Sequence, residues 1–366
     1  MFGFDLNDSL SRLEDNGEGM PPFVYTSAEV FDFESQKIIG SMWTCFAPTE
    51  RLRQAGSLVV GKVGNVPILV TRGLEGKLRG FINACRHRGY PVALSDLREC
   101  KKLTCQYHAW TYALDGRLVA VPEGGAEVDR SELSLLPISV ETWGQFVFVN
   151  CDPNANALHV EISSLANVAE RFGMDLDPNA YEIVEETTIE HKANWKLWFD
   201  NNCECYHCPS IHGNSFASAF QASADAYTYE PHGLLSVTAI EPTSSYAHEN
   251  AVTTLHIFPG CHIVQQKDLM VMARAIPLAA NRYQVSTYYL GKIGADTEII
   301  AQWIQLWKQT YEEDRKALEL QQISLESDRT EPFRYVKSRE AQPMHHVSNV
   351  LRAYMQVGKN EAQSSI

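Results

Sequence analysis

The sequence predicts an α+β chain of two domains, a small antiparallel β domain followed by a larger one in which antiparallel sheet is flanked by helices. Three observations carry this expectation. At 366 residues the chain is long enough for two separate cores of about 150 residues each. From Ser57 to Val119, short β-rich runs are separated by Gly-Asn, Glu-Gly and Asp-Gly turn signals. Beyond residue 152, strand-like segments lie between helical ones without the regular β-α alternation of a parallel sheet.

In chain order, residues 1–37 read as a polar arm and the start of an amphipathic stretch, Phe31 to Met42, packing on the larger domain. Residues 38–152 form the β domain, which closes with GQFVFVN (Gly144 to Asn150) before the linker Cys151-Asp-Pro-Asn-Ala-Asn. Residues 153–366 form the larger domain. Its expected elements are a helix over Ile162 to Phe172, a strand over Tyr181 to Ala193 and a helix over Asn194 to Cys208. Strands follow at Leu234 to Ala239, Thr253 to Phe258, His262 to Gln265, Leu269 to Ala275 and Tyr283 to Leu290, and a long helix at Asp296 to Ser327.

Composition narrows the function. Hydrophobic residues make up 45% and charged residues 21%, the balance of a globular fold. With 31 Lys and Arg against 45 Asp and Glu, the net charge of −14 opposes a nucleic-acid or anionic-membrane partner. No run approaches the roughly 18–20 apolar residues of a membrane span, and Met1 to Met20 carries acidic residues where a signal peptide would be apolar, so a cytoplasmic address is expected. In a reducing compartment nine cysteines hold metal or stay free more readily than they pair. Cys45, Cys151 and Cys261 stand alone and read as small buried hydrophobes.

Two of the cysteines sit in a metal-binding pattern. Cys85-x-His87 and Cys105-x-x-His108 are separated by 17 residues, and each pair lies where a strand gives way to a turn. Two thiolates and two imidazoles suit tetrahedral zinc or an iron–sulfur cluster of mixed ligation. One cysteine and one histidine from each of two loops is the arrangement of a Rieske [2Fe–2S] centre, and the spacing favours it. Cys100 has no histidine two or three residues on and is left free.

A second pattern lies in DNNCECYHCPSIH, Asp200 to His212. His207 and His212 are five residues apart, about 140° around an ideal helix, so they converge on one ion only if the helix bends, and Pro209 supplies the bend. Two histidines and one carboxylate with open positions form the facial triad of non-haem Fe(II) oxygenases. The long C-terminal helix offers the carboxylate: Ile300, Trp303, Trp307, Tyr311, Leu318 and Leu325 form an apolar stripe, and Asp314 lies within it, two turns from Trp307 less about 20°. Glu313 and Glu319 fall off the stripe and read as solvated. Glu204, one turn before His207, reads as a support for the histidine, and Asp200 and Asn201 at the head of the segment join it as candidate catalytic residues. A competing reading takes Cys203, Cys205 and Cys208 as thiolate ligands, or Cys205 and Cys208 as a redox pair.

CRHRG (Cys85 to Gly89) with CQYHAWTYALDGRL (Cys105 to Leu118) resembles the Rieske domain of the ring-hydroxylating, non-haem iron oxygenases, with Gln106 and Ala109 where that pattern has proline and glycine. The resemblance extends to Glu313, Asp314 and Gln322, which look like the family's C-terminal ligand segment. It implies one [2Fe–2S] cluster on Cys85, His87, Cys105 and His108, one mononuclear Fe(II) on His207, His212 and Asp314, and Glu204 as an electron bridge to His108 of a neighbouring subunit in a homotrimer. It implies a terminal oxygenase that uses O2 and electrons from an NAD(P)H-dependent flavin or iron–sulfur reductase, or a ferredoxin. The chain has no Gly-rich dinucleotide fingerprint, so NAD(P)H and flavin are expected on that partner. ECYHCP (Glu204 to Pro209) is most similar to the branch acting on choline, glycine betaine, carnitine and related quaternary ammonium compounds, which implies hydroxylation or oxidative N-demethylation. Gly213 departs from the proline of that branch, and an aromatic or heteroaromatic hydroxylase or dioxygenase, or a secondary-metabolite tailoring enzyme, is the alternative; a Rieske electron carrier or a zinc protein is the remote one. Tyr206, Phe216, Phe220 and His256 are the candidate substrate-pocket residues, with Tyr288 and Tyr289 as further aromatic candidates.

Overall fold

A computed structural model describes residues 3–364 apart from 124, 224–225, 247–249 and 328, with backbone alone beyond Lys359. The chain divides into two compact units. One comprises Ile39–Glu161 and Leu176–Asn179; the other comprises Met1–Ile38, Ile162–Asp175 and Ala180–Ile366.

Among the described residues the first unit has nine strands: β1 (Thr44–Pro48), β2 (Leu58–Val63), β3 (Val66–Arg72), β4 (Leu78–Ile82), β5 (Lys102–Thr104), β6 (Thr111–Ala113), β7 (Leu118–Ala120), β8 (Pro137–Trp143) and β9 (Phe146–Asn150). Six of them form an antiparallel sheet in the order β1-β9-β8-β4-β3-β2, and β5-β6-β7 form a separate small sheet. The division falls later than the expected residue 152. The reason is local bonding: the Trp43 indole donates to the Asn156 carbonyl at 2.8 Å and the Leu158 N–H to Glu141 at 3.1 Å, so residues 153–161 fold onto the β unit.

The larger unit contains β10 (Tyr181–His191), β11 (Tyr227–His232), β12 (Leu235–Ile240), β13 (Val252–Ile257), β14 (Cys261–Gln266), β15 (Leu269–Ala279) and β16 (Arg282–Lys292). They form one antiparallel sheet in the order β10-β16-β15-β14-β13-β12-β11. In the β13–β14 register His256 lies opposite His262, which puts both imidazoles on one face. The long helix Thr297–Leu325 starts on an Asp296 N-cap that accepts from the Glu298 and Ile299 amides, and it buries Ile300, Trp303, Trp307, Asp314, Leu318 and Leu325 along one face. The N-terminal segment is tied to this unit by a buried ion pair: Lys196 donates to both Glu34 oxygens, at 2.8 and 2.9 Å, and the Tyr354 hydroxyl donates to Glu34 as well.

A strand and a helix of the larger unit are among the elements without a counterpart in the sequence reading. The strand β11 contains Pro231, which argues against a central strand, and the structure places β11 at the sheet edge, where a missing donor is tolerated. The helix Ala341–Ser364 buries Val347, Val350, Leu351 and Tyr354 at helical spacing.

Buried histidines make this unit acid-sensitive. Burial pushes His191 down to about 4 and His256 down to about 3, below an ordinary value near 6.5 in the unfolded chain. The unfolded chain therefore binds more protons between these values, and stability present above about pH 6.5 is lost as pH falls, by on the order of 3 kcal/mol per histidine at pH 4. Thermal melts between pH 7 and pH 4.5 are expected to show a steep decline; a flat profile would contradict it.

Candidate functional site

In the β unit, Cys85 and Cys105 are 4% and 2% exposed at the bases of their two loops. The loops are closed alike, since Gly89 N–H donates to the Cys85 carbonyl at 2.8 Å and Ala109 N–H to the Cys105 carbonyl at 2.9 Å. Gly89 sits at φ 75° and Ala109 at φ 55°, so Ala109 holds the left-handed conformation in which glycine is at ease. The loops bring the His87 and His108 rings to 4.6 Å between centroids, with Trp110 stacked on His87 at 4.8 Å. The Tyr112 hydroxyl lies 3.3 Å from Cys85 Sγ and accepts from the Arg86 amide. Burial pushes the Cys105 thiol above its ordinary value, so its thiolate needs positive charge beside it; desolvation, with His87 and Arg88 nearby, keeps His108 neutral. Two buried sulfurs below and two imidazoles above are a donor set that fits a mixed-ligand [2Fe–2S] cluster.

In the larger unit, Asn194 caps the helix Trp195–Asn202, which ends at Cys203. The expected helix through Cys208 is not continuous. His207 instead precedes a separate single turn, Cys208–Ile211, with Pro209 in its first turn, where a missing N–H costs nothing, and His212 closes it. This break does the work assigned to a bend. His207 Nε2 lies 3.2 Å from His212 Nε2, and Asp314 Oδ1 lies 3.0 Å from His212 Nε2 and 3.4 Å from His207 Nε2. All three donors fall within 4.8 Å of one another, the one such set of His, Cys and acidic side chains among the described residues. Donors about 2 Å from one ion and at right angles stand about 3 Å apart, so the three residues fit a mononuclear site with the remaining positions open.

The surroundings hold this set in place. His207 Nδ1 bonds Glu204 Oε1 at 2.5 Å, and the other Glu204 oxygen accepts from the Tyr206 and His207 amides. His212 Nδ1 bonds Glu313 Oε2 at 2.8 Å, and Ser215 Oγ donates to the same oxygen at 2.5 Å. Burial opposes charge on His207, but hydrogen bonds to Asp314 and Glu204 outweigh it and hold the ring protonated up to about 10 in the metal-free chain. Asp314 has the mirror balance: burial alone would raise its pKa, and the two histidines hold it well below the usual carboxylate range.

Several expected roles are corrected by these positions. Glu313 is not a solvated residue but orients His212, and Glu319 accepts from the Lys192 amide and Arg315. Asp200 is turned away from the donor set: one oxygen pairs with His346 and the other accepts from Tyr335. Asn201 does reach it, with Nδ2 within 3.4 Å of both His207 ring nitrogens. Cys205 and Cys208 are joined as a disulfide with Cα atoms 4.9 Å apart, and Cys203 is a buried free thiol.

His207, His212 and Asp314 open into a cavity whose wall includes Phe216, Trp307 and Tyr311. Of the other aromatic candidates, Phe220 lies behind Phe216, 4.9 Å between ring centroids, while Tyr206 is 48% exposed beneath Arg339. Tyr288 and Tyr289 do not line this cavity. His256 stands behind His262, and it is His262 that lines the space together with Thr238. Glu204 and His207 also border a second cavity of about 440 Å³, shared with Asp200, Arg334 and Tyr335.

The comparisons agree with this division of labour. The Rieske [2Fe-2S] domain family matches residues 42–141, and the ring hydroxylating alpha subunit (catalytic domain) family matches residues 178–357. The chain is 28% identical to the glycine betaine monooxygenase oxygenase subunit of Pseudomonas aeruginosa strain UCBPP-PA14 over 380 residues, covering 90% of this chain and 87% of that protein. It is 33% identical over 215 residues to the carnitine monooxygenase oxygenase subunit of Acinetobacter baumannii, covering 58% of this chain and 56% of the relative. A quaternary ammonium Rieske monooxygenase solved with L-carnitine superposes with a TM-score of 0.84 at 23% identity, over 96% of this chain and 99% of the other, which establishes the shared α+β fold. Among the described residues no helix is long and apolar enough to cross a membrane.

Proposed function

The chain belongs to the Rieske non-haem iron oxygenases, an oxidoreductase family that carries a [2Fe–2S] cluster and a mononuclear iron, and from that premise we propose that it oxidatively N-demethylates a quaternary ammonium compound or methylated amine. It is the oxygenase component of a system that draws electrons from a reductase. The observation that carries the reading is the convergence of His207, His212 and Asp314 at the floor of a cavity with an aromatic wall, in a chain whose other unit carries a two-cysteine, two-histidine pattern.

In this reading Cys85, His87, Cys105 and His108 hold the cluster, and His207, His212 and Asp314 hold the iron. When bound, the cluster supplies electrons singly and the ferrous ion supplies reductive activation of O2. The chain's own residues do the rest. Asp314 neutralises charge at a site that burial would otherwise empty, while Glu204 and Glu313 fix the two imidazoles through their Nδ1 atoms and leave both Nε2 atoms facing the ion. The aromatic wall excludes water and seats an ammonium group by cation–π attraction. One oxygen atom enters an N-methyl C–H bond and the other leaves as water, with an electron pair and protons delivered from outside. The resulting hemiaminal breaks its C–N bond to give formaldehyde and the demethylated amine.

We further infer that Glu204 bridges His207 to His108 of a second copy in a homotrimer, a reading supported by its position between the iron-site cavity and the second, open one. A cytoplasmic address accords with an NAD(P)H-dependent partner. The test is reconstitution with a reductase and NADH, following O2 uptake and formaldehyde. Formaldehyde formed in step with NADH oxidation on a methylated ammonium substrate is expected; hydroxylation of aromatic compounds without formaldehyde would replace this reading with the ring-hydroxylase alternative.

A further inference from the structure

Glycine betaine and carnitine both pair a trimethylammonium group with a carboxylate, and a pocket serving either must meet an anion as well as a cation. The cavity above His207, His212 and Asp314 is built for only one of these. On one side Phe216 packs against Trp307 at 5.4 Å between centroids and Trp307 against Tyr311 at 5.7 Å, giving a continuous aromatic surface. Trp307 Nε1–H is already bonded to Gln266, so the indole offers its face and not its donor. The charged groups in the lining besides the ion's own ligands come down to Glu204, an acid. All 31 lysine and arginine residues lie among the described residues, and none lines this cavity.

The other side is polar but uncharged. His262 is 1% exposed and lines the cavity, and its Nε2 is buried without a hydrogen-bond partner. Its Nδ1 lies 2.7 Å from His256 Nδ1, and His256 Nε2 lies 3.1 Å from Thr238 Oγ1, so one proton is shared along a relay of two imidazoles and a hydroxyl. If His262 Nδ1 carries that proton, Nε2 is a bare acceptor; if His256 Nδ1 carries it, His262 Nε2 is a donor. A hydroxyl satisfies either arrangement because it both donates and accepts. A carboxylate only accepts, and it would be desolvated beside Glu204 and Asp314 with no side-chain cation to meet it. Burial and the neighbouring His256 and His346 rings keep His262 neutral.

We propose that the substrate is a methylated ammonium compound whose remaining polar group is an uncharged hydroxyl, an amino alcohol and not an amino acid, with the hydroxyl received by His262 Nε2. The inference rests on the quaternary ammonium reading of the same site and narrows it. In the reconstituted holoenzyme, choline and N,N-dimethylethanolamine are compared with their acid counterparts glycine betaine and N,N-dimethylglycine for formaldehyde yield and for calorimetric Kd. The alcohols are expected to be favoured about 100-fold or more in kcat/KM, with the same order in Kd. His262→Phe is expected to raise KM for choline about tenfold and that for tetramethylammonium, which has no hydroxyl, by less than about threefold. Equal or better use of the acids would overturn the inference and leave the demethylase reading standing. Formaldehyde from none of these compounds, with NADH-linked oxygenation of a neutral aromatic, would overturn both.

Discussion

Asp314→Asn is expected to lower turnover by about 10³-fold or more while the visible spectrum of the cluster stays that of the parent. The size of the effect follows from what the carboxylate does. Asp314 is 5% exposed, and its Oδ1 is the anionic member of a set whose other two members are imidazoles. An amide of the same shape has no charge to offer a divalent ion, and the two histidines cannot replace it. The same substitution shows in the metal-free protein. There His207 stays protonated up to about 10, above its unfolded value near 6.5, so its pairing stabilises the fold below about pH 6.5 and that contribution is lost as pH rises through 10. Asp314, held low, contributes above its ordinary value near 3.9 and loses the contribution in acid. At pH 6 both terms act in the parent, so the metal-free variant is expected to melt at a lower temperature. Iron uptake by the parent must displace the His207 proton, and proton release on adding ferrous ion is a direct readout. An Asp314→Asn protein that keeps its mononuclear iron and its turnover would remove Asp314 from the site.

Glu204→Gln is expected to cut NADH-driven turnover about 10–100-fold, with iron, sulfide and the cluster spectrum all retained. The carboxylate bonds His207 Nδ1 on one side and borders the open cavity on the other, so the change removes charge from the link between them and leaves every metal donor in place. Turnover in the variant is expected to fail at transfer between subunits, so the cluster stays reduced for longer under steady-state conditions. Turnover within twofold of the parent would show that electrons reach the iron site without Glu204.

The parts of this site that were legible in the sequence are those whose geometry a period or a spacing encodes. Asp314 stood out because a helix of 3.6 residues per turn puts it among Trp307, Leu318 and Leu325, where an unpaired acid is costly. The Cys85-x-His87 and Cys105-x-x-His108 patterns stood out because ligand spacing within a loop is local. Glu313 was missed by the same helical argument that found its neighbour: a position off the apolar stripe reads as solvent-facing, and nothing local reveals that His212 and Ser215 arrive from another segment to meet it. The substrate pocket was read least well. Aromatic residues near a motif carry no direction, so Phe220 and Phe216 could not be ranked until the turn at Phe216–Ala219 put one in front of the other. His256 and His262 sit opposite each other in the β13–β14 register, and a strand pattern alone does not tell which ring meets the cavity, a place the fold gives to His262.

Anaerobic determination of iron and acid-labile sulfide in the parent protein and in His207→Ala tests the central claim most directly. About three irons and two sulfides per chain, falling to about two irons with sulfide unchanged in the variant, is the predicted result. Equal iron in both proteins, or zinc in place of iron and sulfide, would contradict a two-cofactor oxygenase.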